Sequence, residues 1–506
     1  QLQTRGVQVM EEVEAQGKYA VVLASRPYQN DDLVNHDLPK IFNELGVPVV
    51  TADSIPGIHT ENLSHSLLDV VNNYHARMLS TALIAAKSEH LEYVQIVNFN
   101  CGHDAYLSDE IIRIMKETSG KAPLVLKVDE SDIAGPLRIR VRSFIDTVNT
   151  RYAAGKALEK HELSDPYHSK FTPEMRMGGA QEKTVLVPNT SHAFSLLMTA
   201  VFRRQGLNAV SLPVGRDEAI RLGKLYVHND ICFPCQIVIG EALAALESGD
   251  WDPDKVAIGM GKYIGDCRLT HYTALLRKAL DDAGYPQVPI ITNDEVDAHN
   301  VHPGFKLSLP SAIRIAFGLP MIDVLEELLR KIRPSDLVPG STNAAFDEGL
   351  KLTMDGLEHG GISGMKKGFA QAIELLKGVE YDRSNPKPRV LIVGEYLLNF
   401  HPGSNHDIEL YLEQNGMEVV EARMTDVIRK TYFYKDCQVK EYKLNKPLDY
   451  KLNFRVCNNV FNLAHSACDK IACAHPLYEP AARMQDIVQA SDPIVHHTFD
   501  AGEGVL

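Results

Sequence analysis

Tyr93-Val-Gln-Ile-Val-Asn98-Phe-Asn-Cys101-Gly-His-Asp104 is the stretch on which the reading of this chain turns. Its first six residues are an apolar, β-branched run of strand length. A Cys-Gly pair follows, then a helical pattern from Ser108 to Thr118. A strand that runs through a glycine-containing loop into a helix is the repeating unit of a parallel sheet. The neighbouring sequence repeats the unit. Tyr19 to Ala24 is a strand ending at Ser25-Arg26-Pro27, and Leu33 to Leu45 is a helix closed by Gly46. Val49 to Thr51, a long helix from Leu63 to Ala86, and the strand Leu124 to Val128 continue the alternation. The pattern predicts a doubly wound α/β domain over residues 1–155.

A second α/β unit is expected over 183–310. Its strands are Thr184 to Val187, Ala209 to Leu212, Val256 to Gly259 and Val288 to Thr292. Its helices are His192 to Gln205, Gln236 to Glu247 and Thr273 to Ala283. Residues 311–381 carry few strand signals and read as a helical bridge. A third α/β unit, over 386–506, opens on the strand Arg389 to Gly394, with a helix from His406 to Asn415 and a strand from Met417 to Glu421. It reads as incomplete. The chain begins at Gln1 within a helical pattern and ends at Leu506 after a glycine turn, so both ends read as cuts in a longer protein.

Composition bounds the function. A chain of 506 residues accommodates about three domains. With 44% apolar and 23% charged residues it has the makeup of globular cores, not of a coiled coil or a disordered chain. Lys and Arg number 52 against 66 Asp and Glu, and the net charge of −14 repels nucleic-acid backbones. That balance sets aside single-strand binding by the Lys- and Tyr-rich stretch from Tyr432 to Tyr450. No run approaches the roughly 18 apolar residues of a membrane-spanning helix. The N-terminus lacks a basic-then-apolar secretion pattern, so a cytoplasmic location with reduced thiols is expected.

The placement of the 8 cysteines carries more than their number. Open parallel sheets bind ligands at the carboxyl ends of their strands, and Cys101 sits at such an end. Cys232 and Cys235 form Cys-Phe-Pro-Cys at the start of a helix. The positive end of the helix dipole there favours thiolate, the form that binds soft metals. The same spacing occurs in thioredoxin-like redox pairs, which expect a small βαβ domain of their own. Cys267, in Gly265-Asp-Cys-Arg-Leu-Thr-His271, occupies another strand-to-helix loop. Three cysteines on ligand-edge loops fit a metal cluster better than a disulfide in a reducing compartment. Two rivals stand beside this reading. One is zinc on Cys232, Cys235 and Cys267, although closed zinc sites usually gather two tight pairs. The other is a non-catalytic scaffold or assembly module whose cysteines are core residues. Cys437, Cys457, Cys468 and Cys473 read as packing in an alanine-rich helix, despite His465 and His475 nearby.

Other residues stand out. Arg26-Pro27-Tyr28 ends the first strand, where an anion would bind. Arg138, Arg140 and Arg142 alternate with Leu137, Ile139 and Val141, which places the arginines on one face of a strand. That face reads as ion-paired, with Asp129-Glu130 as partners, or as a cradle for CoA phosphates. His103 and His271 lie beside Cys101 and Cys267, and Asp266 and Arg268 flank Cys267. Gly356 to Gly364 lacks the strand and the Lys-Ser/Thr of a phosphate loop and reads as a turn.

Six segments carry a resemblance. They are Arg26-Pro-Tyr-Gln-Asn-Asp-Asp-Leu-Val-Asn-His36, Asn98-Phe-Asn-Cys-Gly102, Leu137-Arg-Ile-Arg-Val-Arg-Ser143, Asn229-Asp-Ile-Cys-Phe-Pro234, Gly265-Asp-Cys-Arg-Leu-Thr-His-Tyr272 and Val390-Leu-Ile-Val-Gly-Glu395. Together they resemble the large proteins related to 2-hydroxyacyl-CoA dehydratase activases, over nearly the whole chain. The resemblance implies repeated flavodoxin- or Rossmann-like doubly wound domains with a helical bridge. It implies an iron–sulfur cluster, 4Fe–4S or double-cubane 8Fe–9S, held by cysteines in strand-end loops. Cys101, Cys232 and Cys267 match the family's cysteine motifs, whereas Cys235 stands where a small residue is commoner. The implied activity is ATP-driven, low-potential electron transfer in anaerobic metabolism, for reduction or dehydration of a small or acyl-CoA substrate. The chain carries no phosphate loop, so the implied partner is an ATP-hydrolysing activator domain or reductase. Acyl-CoA and a second copy of the chain are further expected partners; nucleic acid and membrane are not.

Overall fold

The computed structural model describes residues 1–70, 72–97, 104–128, 134–155, 158, 160–163, 183–261, 268–292, 308–429, 443 and 448–482. The first unit opens with α1 (Leu2–Ala15) and β1 (Ala20–Leu23), followed by α2 (Asp32–Asn35), α3 (Leu38–Glu44) and β2 (Val49–Thr51). It continues through α4 (Asn73–Lys87), β3 (Leu91–Val97), α5 (Asp104–Ser119), β4 (Leu124–Lys127) and α6 (Ala134–Ala153). The sheet is parallel in the order β2-β1-β3-β4. All seven residues of β3 are buried, as expected of a central strand covered on both faces.

The second unit repeats the plan with β5 (Thr184–Val187), α7 (His192–Arg204), β6 (Asn208–Ser211), α8 (Asp217–Tyr226) and α9 (Phe233–Glu247). Then come β7 (Val256–Gly259), α10 (Tyr272–Asp282) and β8 (Ile290–Ile291). Its parallel order, β6-β5-β7-β8, is that of the first sheet. The direction of winding therefore reverses between β1 and β3, and again between β5 and β7, and ligands of open α/β sheets bind at such points. The chain is α/β with repeated parallel sheets, as the strand–helix alternation predicts.

Two long helical elements follow, α11 (Leu309–Ile332) and α12 (Ser341–Lys377). The latter breaks at Gly361, whose φ of 61° turns the helix back on itself within the glycine-rich piece read as a turn. The third unit contains β9 (Arg389–Ile392), α13 (Tyr396–Phe400), α14 (Ile408–Gln414) and β10 (Glu418–Glu421), with β9 and β10 parallel. The last described helix is α15 (Leu448–Ala472).

One apolar core spans the first two sheets and joins Tyr93 and Ile111 to Ile237, Leu275 and Leu397. A second core packs α7, α11, α12 and α15 around Leu325, Phe369 and Cys468. Separate cores cover the opposite faces of the first and second sheets.

Two expectations are corrected. Arg138, Arg140 and Arg142 lie on α6, not on a strand. Val141, Ile145 and Val148 recur at helical spacing and bury against the first sheet, and this wider period outweighs the three-residue alternation. Arg138 pairs with Glu44 at 3.2 Å and Arg140 donates to the Val125 carbonyl at 2.6 Å, so no shared basic face forms. The helix read as Leu63 to Ala86 begins only at Asn73, where the Asn72 side chain accepts from the His75 N–H and caps it.

Candidate functional site

The site is built around the amino end of α9. Backbone contact fixes that helix. A Cβ on Gly240 would lie 1.7 Å from the Ala219 carbonyl oxygen, and one on Gly223 would lie 1.9 Å from that of Gln236. Only glycine permits α8 and α9 to touch this closely. Cys232 is the N-cap residue of α9, and Pro234 stands in its first turn, where a missing N–H costs nothing. Cys232 is partly exposed and unbridged.

Two tyrosine hydroxyls converge on its sulfur. Tyr106 Oη, from α5 of the first unit, lies 3.1 Å from Cys232 Sγ. Tyr272 Oη, from α10, also lies 3.1 Å away. Burial, and then the two neighbouring cysteines, push both phenols far above their ordinary range. The hydroxyls keep their protons, and in each contact either the oxygen or the sulfur can be the donor. Each tyrosine is the fifth residue after a candidate cysteine, Tyr106 after Cys101 and Tyr272 after Cys267. The ring of buried His271 lies tilted, 5.1 Å from that of Tyr106 and 6.1 Å from that of His75.

Cys235 is different. It is fully buried, and its N–H donates to the Cys232 carbonyl at 3.0 Å. Burial, reinforced by Cys232, pushes its thiol up, against a hydrogen bond from Tyr106 and the charge of Arg268. A thiol held protonated in an apolar core is a poor metal donor. Cys101, Gly102, His103, Asp129, Glu130, Asp266 and Cys267 lie outside the described residues.

The strand ends of the first sheet are ion-paired. Arg26, after β1, donates to Asp104 Oδ1 at 3.2 and 3.0 Å and so ties the first strand end to the start of α5. Buried Arg77 donates to Asp53 at 2.8 and 2.7 Å and also to the Ser25 carbonyl. The hydrogen bonds from Arg77 hold the Asp53 carboxyl below its usual range, against partial burial. Arg26 is thus a clamp within the edge, with its guanidinium already committed to a carboxylate.

The third unit closes over the second. Glu241 of α9, nearly fully buried, accepts the N–H groups of Asn189 and Gly215 at 2.5 Å each and His401 Nε2 at 2.8 Å. The Ser404 N–H donates to His401 Nδ1 at 3.0 Å, so Nδ1 is an acceptor and Nε2 carries the proton given to Glu241. A Cβ on Gly403 would fall 1.7 Å from the Gly215 carbonyl oxygen. Arg216 and Asp407 pair at 2.5 and 3.0 Å on the rim. Glu395, the last residue of Val390-Leu-Ile-Val-Gly-Glu395, caps α13 through the N–H groups of Leu397 and Leu398, and its charge reaches Tyr272. The first two units therefore meet at Cys232, and the third docks on Glu241, nine residues further along α9. Tyr106, Tyr272, Glu241 and His401 escape a sequence reading. The equal five-residue offset from their cysteines is a signal for the two tyrosines alone; Glu241 and His401 carry none.

Among the described residues the carboxy-terminal cysteines do not gather. Cys468 is buried in the second core and donates to the Pro320 carbonyl at 3.3 Å, whereas Cys473 is exposed. Cys457 is partly exposed, and Cys437 lies outside the described residues. Burial, then Arg429 and Arg423, push His465 down to about 3, so it stays neutral in its helix. Among the described residues no group of three or more His, Cys, Asp or Glu side chains is placed to hold a metal ion. Among them, too, no helix is long and apolar enough to cross a membrane.

No curated protein and no solved structure matches the chain. A family model described as "CoA enzyme activase uncharacterised domain" matches residues 1–55, the segment from α1 through β1 and the Arg26 turn to β2, and makes this part of the chain similar to an activase-related domain.

Proposed function

We propose that the chain is an iron–sulfur protein of the 2-hydroxyacyl-CoA dehydratase and activase-related group. In this reading it takes part in ATP-driven, low-potential electron transfer for reduction or dehydration of a small or acyl-CoA substrate. The convergence of Tyr106 and Tyr272 on Cys232 carries the reading. Cys232 suits a ligand: the residue is partly exposed, stands at a helix amino end, and has two hydroxyls within hydrogen-bonding distance of its sulfur. Cys101 and Cys267 are the proposed co-ligands, each five residues ahead of one of these tyrosines. Cys235, buried and protonated, is not among them.

A cluster at this position would supply one-electron chemistry at low potential. The protein's part is to hold the thiolates, orient them through the two tyrosines and exclude water with the third unit, while Glu241 and His401 fix the closure. An ATP-hydrolysing activator domain or reductase is the proposed electron donor. Iron and acid-labile sulfide, measured after anaerobic reconstitution, test the ligand set. Cys101→Ala, Cys232→Ala and Cys267→Ala each lose most of the iron, and Cys235→Ala retains it. Equal iron in Cys232→Ala and wild type contradicts the assignment.

A further inference from the structure

The Cys-Phe-Pro-Cys dithiol supports a second chemistry that needs no metal. Cys232 is outside the regular helix, with φ −56° and ψ 139°, whereas Cys235 is in the first turn. The backbone hydrogen bond from Cys235 N–H to the Cys232 carbonyl closes that turn. Residues so related have Cα atoms within the roughly 4.4–6.8 Å span of a disulfide. Both cysteines are free, so neither sulfur is already bridged. Access is graded: Cys232 is partly exposed, and Cys235 is buried behind it. A more accessible attacking cysteine paired with a buried resolving cysteine is the arrangement of a dithiol that closes on itself.

We infer that Cys232 and Cys235 form a reversible disulfide by exchange with a small-molecule disulfide of the glutathione type. The Cys232 thiolate attacks one sulfur of the incoming disulfide, whose S–S bond breaks. The first small thiol leaves and takes up the proton that Cys232 lost. The Cys235 sulfur then attacks the Cys232 sulfur, the mixed S–S bond breaks, and the second small thiol leaves with the proton of Cys235. Two protein thiols lose two electrons, and one small disulfide gains them as two thiols. The disulfide withdraws Cys232 as a thiolate from Tyr106 and Tyr272. Oxidation thereby closes the site to metal, a consequence that rests on the ligand reading above.

The test uses the iron-free full chain. It is incubated with oxidised glutathione, its remaining thiols are alkylated, and its peptides are weighed by mass spectrometry. The peptide spanning residues 232–235 is expected two hydrogens lighter and unalkylated, and dithiothreitol restores alkylation of both cysteines. Cys235→Ser stops at the mixed disulfide, with glutathione retained on Cys232. The inference is overturned if wild-type Cys232 stays open to alkylation, retains glutathione, or pairs with another cysteine. None of these readouts involves iron, so failure here is separate from failure of the cluster reading, which the iron content reports.

Discussion

Lys121 shows how much single buried charges contribute to the frame of the site. Its side chain is fully buried, with Nζ donating to the carbonyls of Ala85, Ser88 and Leu91 at 3.0, 2.7 and 2.8 Å and pairing with Glu92 at 3.0 Å. It thereby closes the carboxyl end of α4 and fixes the start of β3, the strand that leads to Cys101. Lys121→Ala leaves Glu92 buried with only Arg151 as a partner. The expected loss of stability is about 3–5 kcal/mol, read by urea unfolding. A loss below about 1 kcal/mol would show the pair to be dispensable. At this scale the sequence is legible in part. The dithiol declares itself through its spacing before a helix. Tyr106 and Tyr272 do not, because a tyrosine on an apolar helix face has the signature of core packing, and only the tertiary contact reveals the shared sulfur.

Elements are held to one another largely through α11. Asp323 of this helix accepts the N–H groups of Met424 and Thr425 at 2.8 and 3.0 Å. About two turns further along α11, Arg330 pairs with Glu409 at 3.1 Å and with Glu421, and Arg333, just past the helix, pairs with Glu413 at 2.6 Å and with Glu409. Glu326 lies in the same cluster. Burial pushes it up to about 8, against Arg330 and with repulsion from Glu421, Asp323 and Glu409. Burial likewise pushes Glu421 up to about 7, against Arg330. These folded-state values exceed that of an unfolded glutamate, about 4.3, so the folded chain holds the extra protons. The stabilisation is complete below that value and is lost as pH rises toward about 8. Melting temperature is expected to fall from pH 5 to pH 8, and Glu326→Gln, which cannot ionise, flattens the fall. Parallel profiles for the two proteins would contradict this origin. The elements themselves were readable where periodicity is sustained: the buried runs of β1, β3 and β7 have no competing helical pattern. At α6 a short alternation mimics a strand, and the deciding apolar residues Ile145 and Val148 lie beyond it.

The whole molecule places the third unit against the ligand edge of the second, and this docking depends on Gly403. Gly403→Val drives a side chain into the Gly215 backbone and displaces His401 from Glu241. Faster proteolysis within residues 382–388 and increased alkylation of Cys232 are the expected outcomes; wild-type rates for both would show that the closure does not shield the site. Such docking was not legible in the sequence, because it joins residues 160 positions apart through one glycine and one buried histidine. The doubly wound architecture was legible, since the second unit repeats the strand order of the first. The central claim, that this junction is built around a cluster thiolate, is tested most directly by iron and acid-labile sulfide in the anaerobically reconstituted wild-type chain. The account predicts a brown protein with stoichiometric iron and sulfide that Cys232→Ala loses; a colourless, iron-free protein would contradict it.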